Sequence, residues 1–335
     1  MPPDRSAAPA SPAPPAPTDL RCPICAAPLT AGERAFACAS GHSFDRARQG
    51  YVNLLRPTRL RGDSAEMLRA RRRFLDAGWY APLADALAEM VGAWLTEESP
   101  AIPGAARALV DLGCGEGFYL RRLAQAQAST LATQGWRLYG LDLSRDAIRM
   151  AAGRAAQEAR QPADQPADQP ADQPKSPPSP PVTWVVASAR DRLPFADAGV
   201  GALLNIFAPR VAEEFARVVA PGGLLMVVTP LAEHLAEARA ALPWLLSPQP
   251  DKDDHLRATL EGDFALVEAR PAQFTLALDA AALADLATMT PHRAVASAGL
   301  AEAARAATTR SPGQRLSVRV ACMARRYRRR PSTSA

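Results

Sequence analysis

Leu109-Val110-Asp111-Leu112-Gly113-Cys114-Gly115-Glu116-Gly117-Phe118-Tyr119 decides the fold. The apolar run 108–110 meets an acidic residue at Asp111, three glycines follow at alternate positions, and residues 120–124 take up helical spacing. That order reads as strand, tight turn, helix. Glycine there lets the chain turn sharply and approach a ligand closely. Dinucleotide and phosphate sites use the same junction, so the turn alone leaves the ligand open. About 25 residues on, a second apolar run, 136–141, stops at Asp142, and Ser144 is placed to cap a helix starting at Arg145. An acidic side chain at the end of a second strand suits a ribose diol, which still permits a nicotinamide cofactor.

A third feature narrows the choice. Residues 215–228 read as a helix ending in the turn Pro221-Gly222-Gly223 and then a buried strand. Asp-x-Gly-x-Gly-x-Gly, an acidic second strand and Arg-Val-x-x-Pro-Gly-Gly, in this order, resemble the class I S-adenosylmethionine-dependent methyltransferases. The resemblance implies an α/β fold with a doubly wound, Rossmann-like, seven-stranded methyltransferase sheet. It places the cofactor, S-adenosylmethionine, against Asp111, Gly113, Gly115, Gly117, Tyr119, Leu120 and Asp142.

The 335 residues, 48% hydrophobic and 22% charged, suffice for one large domain with an accessory. No apolar run approaches the ~18 residues of a membrane span. Residues 1–17 are proline and alanine without an apolar centre, unlike a secretory signal, so a cytoplasmic protein with no membrane partner is expected. Five cysteines in a chain this long do not make a disulfide framework. The net charge of +5 is unevenly spread. Arg69, Arg71, Arg72 and Arg73 cluster in one segment, and Arg325, Arg326, Arg328, Arg329 and Arg330 in another. Such clusters suit a polyanion, although arginine is also simply common in this composition and the second cluster reads equally well as a solvated face.

Near the N-terminus, Cys22 and Cys25 are followed by Cys38 and His42, spaced Cys-x2-Cys, twelve residues, Cys-x3-His. Three thiolates and an imidazole in paired knuckles suit one tetrahedral Zn2+ in a closed, structural site. Phe36 and Phe44 are expected to pack the ribbon.

A closer resemblance follows from this ribbon, the string Gly50-Tyr51-Val52-Asn53-Leu54-Leu55, and Gly62-Asp63-Ser64-Ala65-Glu66-Met67 opening the arginine helix. Together they resemble the bacterial 23S rRNA (guanine-N1)-methyltransferases, from Cys22 to about Arg293. The resemblance implies methyl transfer from S-adenosylmethionine to N1 of a guanine in a hairpin loop of 23S rRNA. It gives cofactor contacts to Tyr80, as a lid, and to His234, and RNA contacts to Arg69, Arg71, Arg72 and Arg73. Asn205, in the run Asn205-Ile206-Phe207-Ala208-Pro209 at the end of the fourth strand, stands where methyltransferases place the loop that meets the target base, and is expected either to contact the RNA or only to cap the strand. Ala189-Arg190 departs from the Ser-His of the family, while Met289-Thr290-Pro291 matches a string at the active-site rim. No residue identifies itself as a base for the guanine N1 proton. A homodimer is compatible with this reading. The alternatives are a small-molecule methyltransferase and a non-catalytic zinc-ribbon RNA-binding protein.

The expected division is a disordered arm (1–20), the zinc ribbon (21–55), a helical linker and RNA-contact segment (56–104), the methyltransferase domain (105–324) and an arginine-rich tail (325–335). Tandem Gln-Pro-Ala-Asp units make 161–181 a low-complexity insert that builds no core. The last sheet strand is expected over 315–323, at or next to the sheet edge.

Overall fold

The structure, a computed structural model, describes residues 16–158, 179–248, 252–290, 297–309 and 314–331. The repeats at 161–174 lie outside the described residues. The chain opens with a small antiparallel sheet of β1 (Ala16–Arg21), β2 (Pro28–Ala31), β3 (Ala35–Cys38) and β4 (Ser43–Asp45). β5 (Val52–Asn53), α1 (Ala65–Asp76) and α2 (Ala81–Glu97) lead to β6 (Ala108–Leu112), α3 (Phe118–Ala126) and α4 (Ala128–Thr133). Next come β7 (Arg137–Asp142), α5 (Arg145–Glu158), β8 (Val182–Val186), β9 (Val200–Ile206), α6 (Ala212–Val218) and β10 (Val219–Pro230). The C-terminal part holds α7 (Ala236–Ala241), α8 (Lys252–Leu260), β11 (Phe264–Leu278), α9 (Ala280–Met289), α10 (Ser297–Thr309) and β12 (Leu316–Arg329).

The large sheet runs β11-β12-β10-β9-β6-β7-β8-β5. β12 is antiparallel to both neighbours and the other pairs are parallel. The sheet therefore has eight strands, not the expected seven. The extra one is β5, which pairs Val52 with Val185 and Asn53 with Val186, and Leu54 N–H extends the ladder to the Val186 carbonyl at 3.0 Å. Val52 and Leu54 are buried there, so this string, which Arg46 bridges at Val52, ties the end of the ribbon segment to the edge of the methyltransferase sheet.

Side chains alternate across β6. Leu109 faces a core completed by α1 to α5, α7, α9 and α10, while Ala108, Val110 and Leu112 face a second core with Phe215 of α6 and Leu256 of α8. The ribbon completes this second core with Leu20, Leu29 and Phe36, and Phe44 packs at its margin. It thus covers part of one sheet face that a doubly wound fold would give to helices.

This packing corrects the N-terminal boundary. β1 begins at Ala16, inside the stretch expected to be disordered, because Leu20 is fully buried and bridges to Phe195. Asp19 accepts from Arg137 Nε at 2.6 Å and from Tyr139 Oη at 2.8 Å, which ties β1 to β7.

The C-terminal boundary moves as well. β12 is the penultimate strand, as read, but it runs on to Arg329. Arg325 is buried and donates to Thr229 Oγ1, Arg326 pairs with Glu98 at 2.7 Å, and Arg329 pairs with Asp263 at 3.0 Å. Four arginines expected in a free tail are strand residues with partners, which removes them from the polyanion argument. Among the described residues, no helix is long and apolar enough to cross a membrane.

Candidate cofactor cleft and metal centre

The glycine turn joins β6 to α3. Gly113, Gly115 and Gly117 have φ of +80°, +57° and +81°, a region that disfavours a side chain. The N–H groups of Gly113 and Cys114 both donate to the Leu141 carbonyl, at 2.8 and 3.0 Å, clamping the turn to the end of β7. The three glycines have different neighbours. A Cβ on Gly113 would stand 2.4 Å from Ala208 Cβ, and one on Gly117 would stand 2.4 Å from the Trp184 ring. Beyond Gly115 the nearest atom is Arg71 Nη1, at 3.7 Å. The outer two glycines permit packing; the middle one faces open space.

Carboxylates surround the turn. Asp142 ends β7, and its Oδ2 accepts Gly115 N–H at 2.9 Å while Oδ1 accepts Ser144 N–H at 2.7 Å. Burial raises its pKa against the opposing pull of those two amides. Each oxygen keeps a second lone pair, which suits a ribose diol. Ser144 caps α5 as read, its Oγ accepting from Ala147 N–H at 3.3 Å. Asp111 is 1% exposed, and its Oδ2 has no partner among the described residues. Burial, then Asp142, then Glu116 push its carboxyl up to about 7. An orphaned buried carboxylate oxygen beside a left-handed glycine cradle fits a cofactor that carries positive charge.

Tyr80, to which the family resemblance gives a lid role, is 4% exposed at the start of α2, with its ring edge-on to Phe74 and Phe274. Its Oη lies 3.4 Å from His234 Nε2. His234 Nδ1 accepts Ala321 N–H at 3.2 Å, so the neutral ring carries its proton on Nε2. Burial, then Arg239, lower its pKa to about 4. Tyr119 is half-buried, whereas Leu120 is fully buried.

Asn205 does not reach the surface. It is fully buried, and its Nδ2 donates to the Pro209 carbonyl at 3.0 Å, shaping the loop after β9. The exposed member of that loop is Phe207, 41% exposed with φ +55°, its ring centroid 6.2 Å from that of His234. Of the α1 arginines, Arg71 pairs with Asp63, Arg72 with Asp76 at 3.6 Å, and Arg73 with Asp285, while Arg69 is exposed without an ion pair among the described residues. Trp184 behind the turn and the position of Arg71 were missed, and within the loop after β9 Asn205 was singled out rather than Phe207 and Ala208. The alternate glycines could have suggested close packing, but not the identity of the neighbours.

The metal quartet is assembled. The ligand atoms of Cys22, Cys25, Cys38 and His42 lie within 4.8 Å of one another. Cys25 Sγ to Cys38 Sγ is 3.7 Å, and His42 Nδ1 is 3.6 and 3.4 Å from the sulfurs of Cys22 and Cys38. A tetrahedron with Zn–S near 2.3 Å and Zn–N near 2.0 Å has S···S edges of about 3.8 Å and S···N edges of about 3.5 Å. The quartet fits one structural Zn2+.

Sheet order, glycine cradle and the carboxylate that ends β7 define a class I S-adenosylmethionine-dependent methyltransferase carrying a zinc ribbon. A family model described as RlmA, N-terminal, a zinc ribbon, matches residues 20–59, and a model described as methyltransferase domain matches residues 110–225. The chain is 38% identical over 273 residues to the 23S rRNA (guanine(748)-N(1))-methyltransferase of Streptomyces fradiae, covering 81% of this chain and 84% of that one. A Micromonospora griseorubida protein, provisionally named as a 23S rRNA (guanine-N1)-methyltransferase, is 38% identical over 264 residues, covering 73% of this chain and 76% of its own. The chain belongs to the 23S rRNA (guanine-N1)-methyltransferase family.

Proposed function

We propose that this protein transfers the methyl group of S-adenosylmethionine to N1 of a guanine in a hairpin loop of 23S rRNA, in the cytoplasm. The observation that carries the reading is the fusion of a Cys3His ribbon to the cofactor sheet through Asp19, Arg137 and Tyr139, in a chain of this family.

S-Adenosylmethionine supplies a sulfonium whose methyl group is already activated, so the protein's work is position and electrostatics. Asp142 and the glycine turn would hold the cofactor's ribose and methionine parts, with Asp111 facing positive charge. Phe207 offers an exposed aromatic face at the same loop, on which an unstacked loop base can lie. His234 has its Nδ1 occupied by Ala321 N–H and presents Nε2–H, so it acts as a hydrogen-bond donor and not as the base for the N1 proton.

For the RNA backbone, support falls on Arg56, Arg59, Arg61 and Arg69. All four are exposed and have no ion pair among the described residues. The first three lie between β5, at the sheet edge, and Gly62, which packs on Ser144 at the cleft. For assembly we propose a homodimer, supported by Leu266 and Val267, which are exposed on the edge strand β11; light scattering checks it.

The test supplies methyl-labelled S-adenosylmethionine with protein-free 23S rRNA or free guanosine and reads nucleosides by mass spectrometry. The expected product is 1-methylguanosine from the rRNA alone. Efficient labelling of free guanosine, with none of the rRNA, would sink the reading.

A further inference from the structure

Arg71 stands apart from the arginines beside it. Arg73 turns outward to Asp285, and its side chain is 62% exposed; that of Arg71 is 25% exposed and reaches over the glycine turn. Its Nη1 is the single described atom within 4 Å of a Cβ placed on Gly115. Gly113 and Gly117 are backed by Ala208 and Trp184, so Gly115 is where the turn opens, and the guanidinium walls the far side of that opening. Nη1 donates to Asp63, and Nη2 donates to the Met289 carbonyl at the end of α9, at 3.3 Å. A guanidinium has five N–H donors, and the rest have no partner among the described residues. The charge is felt inside the cleft: it favours ionisation of Asp142 and Tyr119 against the burial that opposes it.

The other charges at the turn have the opposite sign or are already engaged. Asp111, Glu116 and Asp142 ring it, an environment that suits a sulfonium and an ammonium and repels a carboxylate. Arg121, the second guanidinium nearby, donates to the Glu116 carbonyl at 2.6 Å and pairs with its carboxylate at 3.4 Å. A zwitterionic amino-acid moiety laid on this turn needs one cation for its carboxylate. Arg71 is the cation in position, with the planar fork that matches it.

We propose that Arg71 is a cofactor-binding residue whose guanidinium takes the α-carboxylate of bound S-adenosylmethionine. The proposal rests on the S-adenosylmethionine reading of the cleft and is independent of the RNA substrate. Arg71 then serves the cofactor, unlike the exposed Arg69 two residues before it. Asp63 and the end of α9 hold the fork ready, so that a ligand lacking the carboxylate leaves it without its partner.

The experiment is calorimetry on the full-length, zinc-loaded chain without RNA. It compares S-adenosylmethionine with decarboxylated S-adenosylmethionine, which keeps the sulfonium and the amine. The wild type is expected to favour the carboxylated form by about 10- to 100-fold, the scale of a charge-assisted pair. Arg71→Met should close that gap by weakening S-adenosylmethionine while leaving the decarboxylated ligand within about 2-fold, as one lost contact predicts. Arg71→Lys, which keeps charge without the fork, should retain part of the preference. Equal weakening of both ligands by Arg71→Met means that Arg71 merely braces α1 against α9, and it overturns the proposal. Equal affinity of the wild type for the two ligands overturns it without any variant, which covers a variant that does not fold. Absence of S-adenosylmethionine binding to the wild type overturns it together with the cofactor reading beneath it.

Discussion

Two arginine-rich regions lie within twenty residues of each other and serve different purposes. In α1, Arg71, Arg72 and Arg73 each meet a carboxylate, two of them bridging to other parts of the fold. In the connection before it, Arg56, Arg59 and Arg61 are exposed with no such partner among the described residues. In sequence the first group looks like the polyanion grip, because the charges are adjacent. In structure Arg72 and Arg73 are paired on the spot and Arg71 is turned over the glycine turn, while the unpaired charge lies in the looser run. Charge density along a chain therefore locates arginines, and ion pairing decides which of them can attract phosphate.

The largest test asks whether the RNA side of the chain, ribbon included, separates from the cofactor side. Cys22→Ser with Cys38→Ser should abolish zinc binding and unfold β1 to β4, since structural zinc contributes on the order of 10 kcal/mol or more to such a module. RNA affinity and rRNA methylation should fall at least about tenfold, the loss of one group of contacts. S-Adenosylmethionine affinity should stay within about 3-fold, which is under 1 kcal/mol. Metal analysis and calorimetry read the two halves separately, and a cofactor site that collapses with the ribbon breaks the division.

A smaller effect sharpens the cofactor half. The Asp111 carboxyl is raised to about 7 from an unfolded value of 3.8, so it destabilises the free fold progressively between those pH values. A cationic ligand favours its ionised form. Binding of S-adenosylmethionine below pH 7 should release close to one proton, and affinity should rise by up to about tenfold per pH unit from 5.5 to 7, then level off. Asp111→Asn should bind more weakly, with that dependence gone. Calorimetry in buffers of different ionisation enthalpy counts the proton, and an unchanged pH profile in Asp111→Asn assigns it elsewhere.

The parts of this account legible in sequence are those fixed by local spacing. Alternate glycines, a carboxylate ending a strand and two cysteine–histidine knuckles carry their chemistry within a few residues, and Asp142, Gly115 and the zinc quartet stand where spacing put them. What failed depends on distant partners. β5 is two residues long and becomes a strand because β8 leaves an edge for it. β1 grows from proline- and alanine-rich sequence because Leu20 finds Phe195 across the chain. Arg325 and Arg329 read as a tail because a nearly unbroken run of arginines looks solvated; Thr229 and Asp263, remote in sequence, receive them. Asn205 read as a base contact, but its direction was settled by Pro209 and full burial.

The most direct test of the division is the salt dependence of RNA binding. A 23S rRNA hairpin fragment is titrated with the wild type, with Arg56→Ala/Arg59→Ala/Arg61→Ala, and with Arg71→Met across a range of salt. Each phosphate contact to single-stranded RNA contributes about 0.7 to the slope of log affinity against log salt. The triple variant should therefore lose about 2 from that slope while binding S-adenosylmethionine as the wild type does, and Arg71→Met should keep the wild-type slope. A triple variant with an unchanged slope, beside an Arg71→Met variant whose slope falls, would contradict the account.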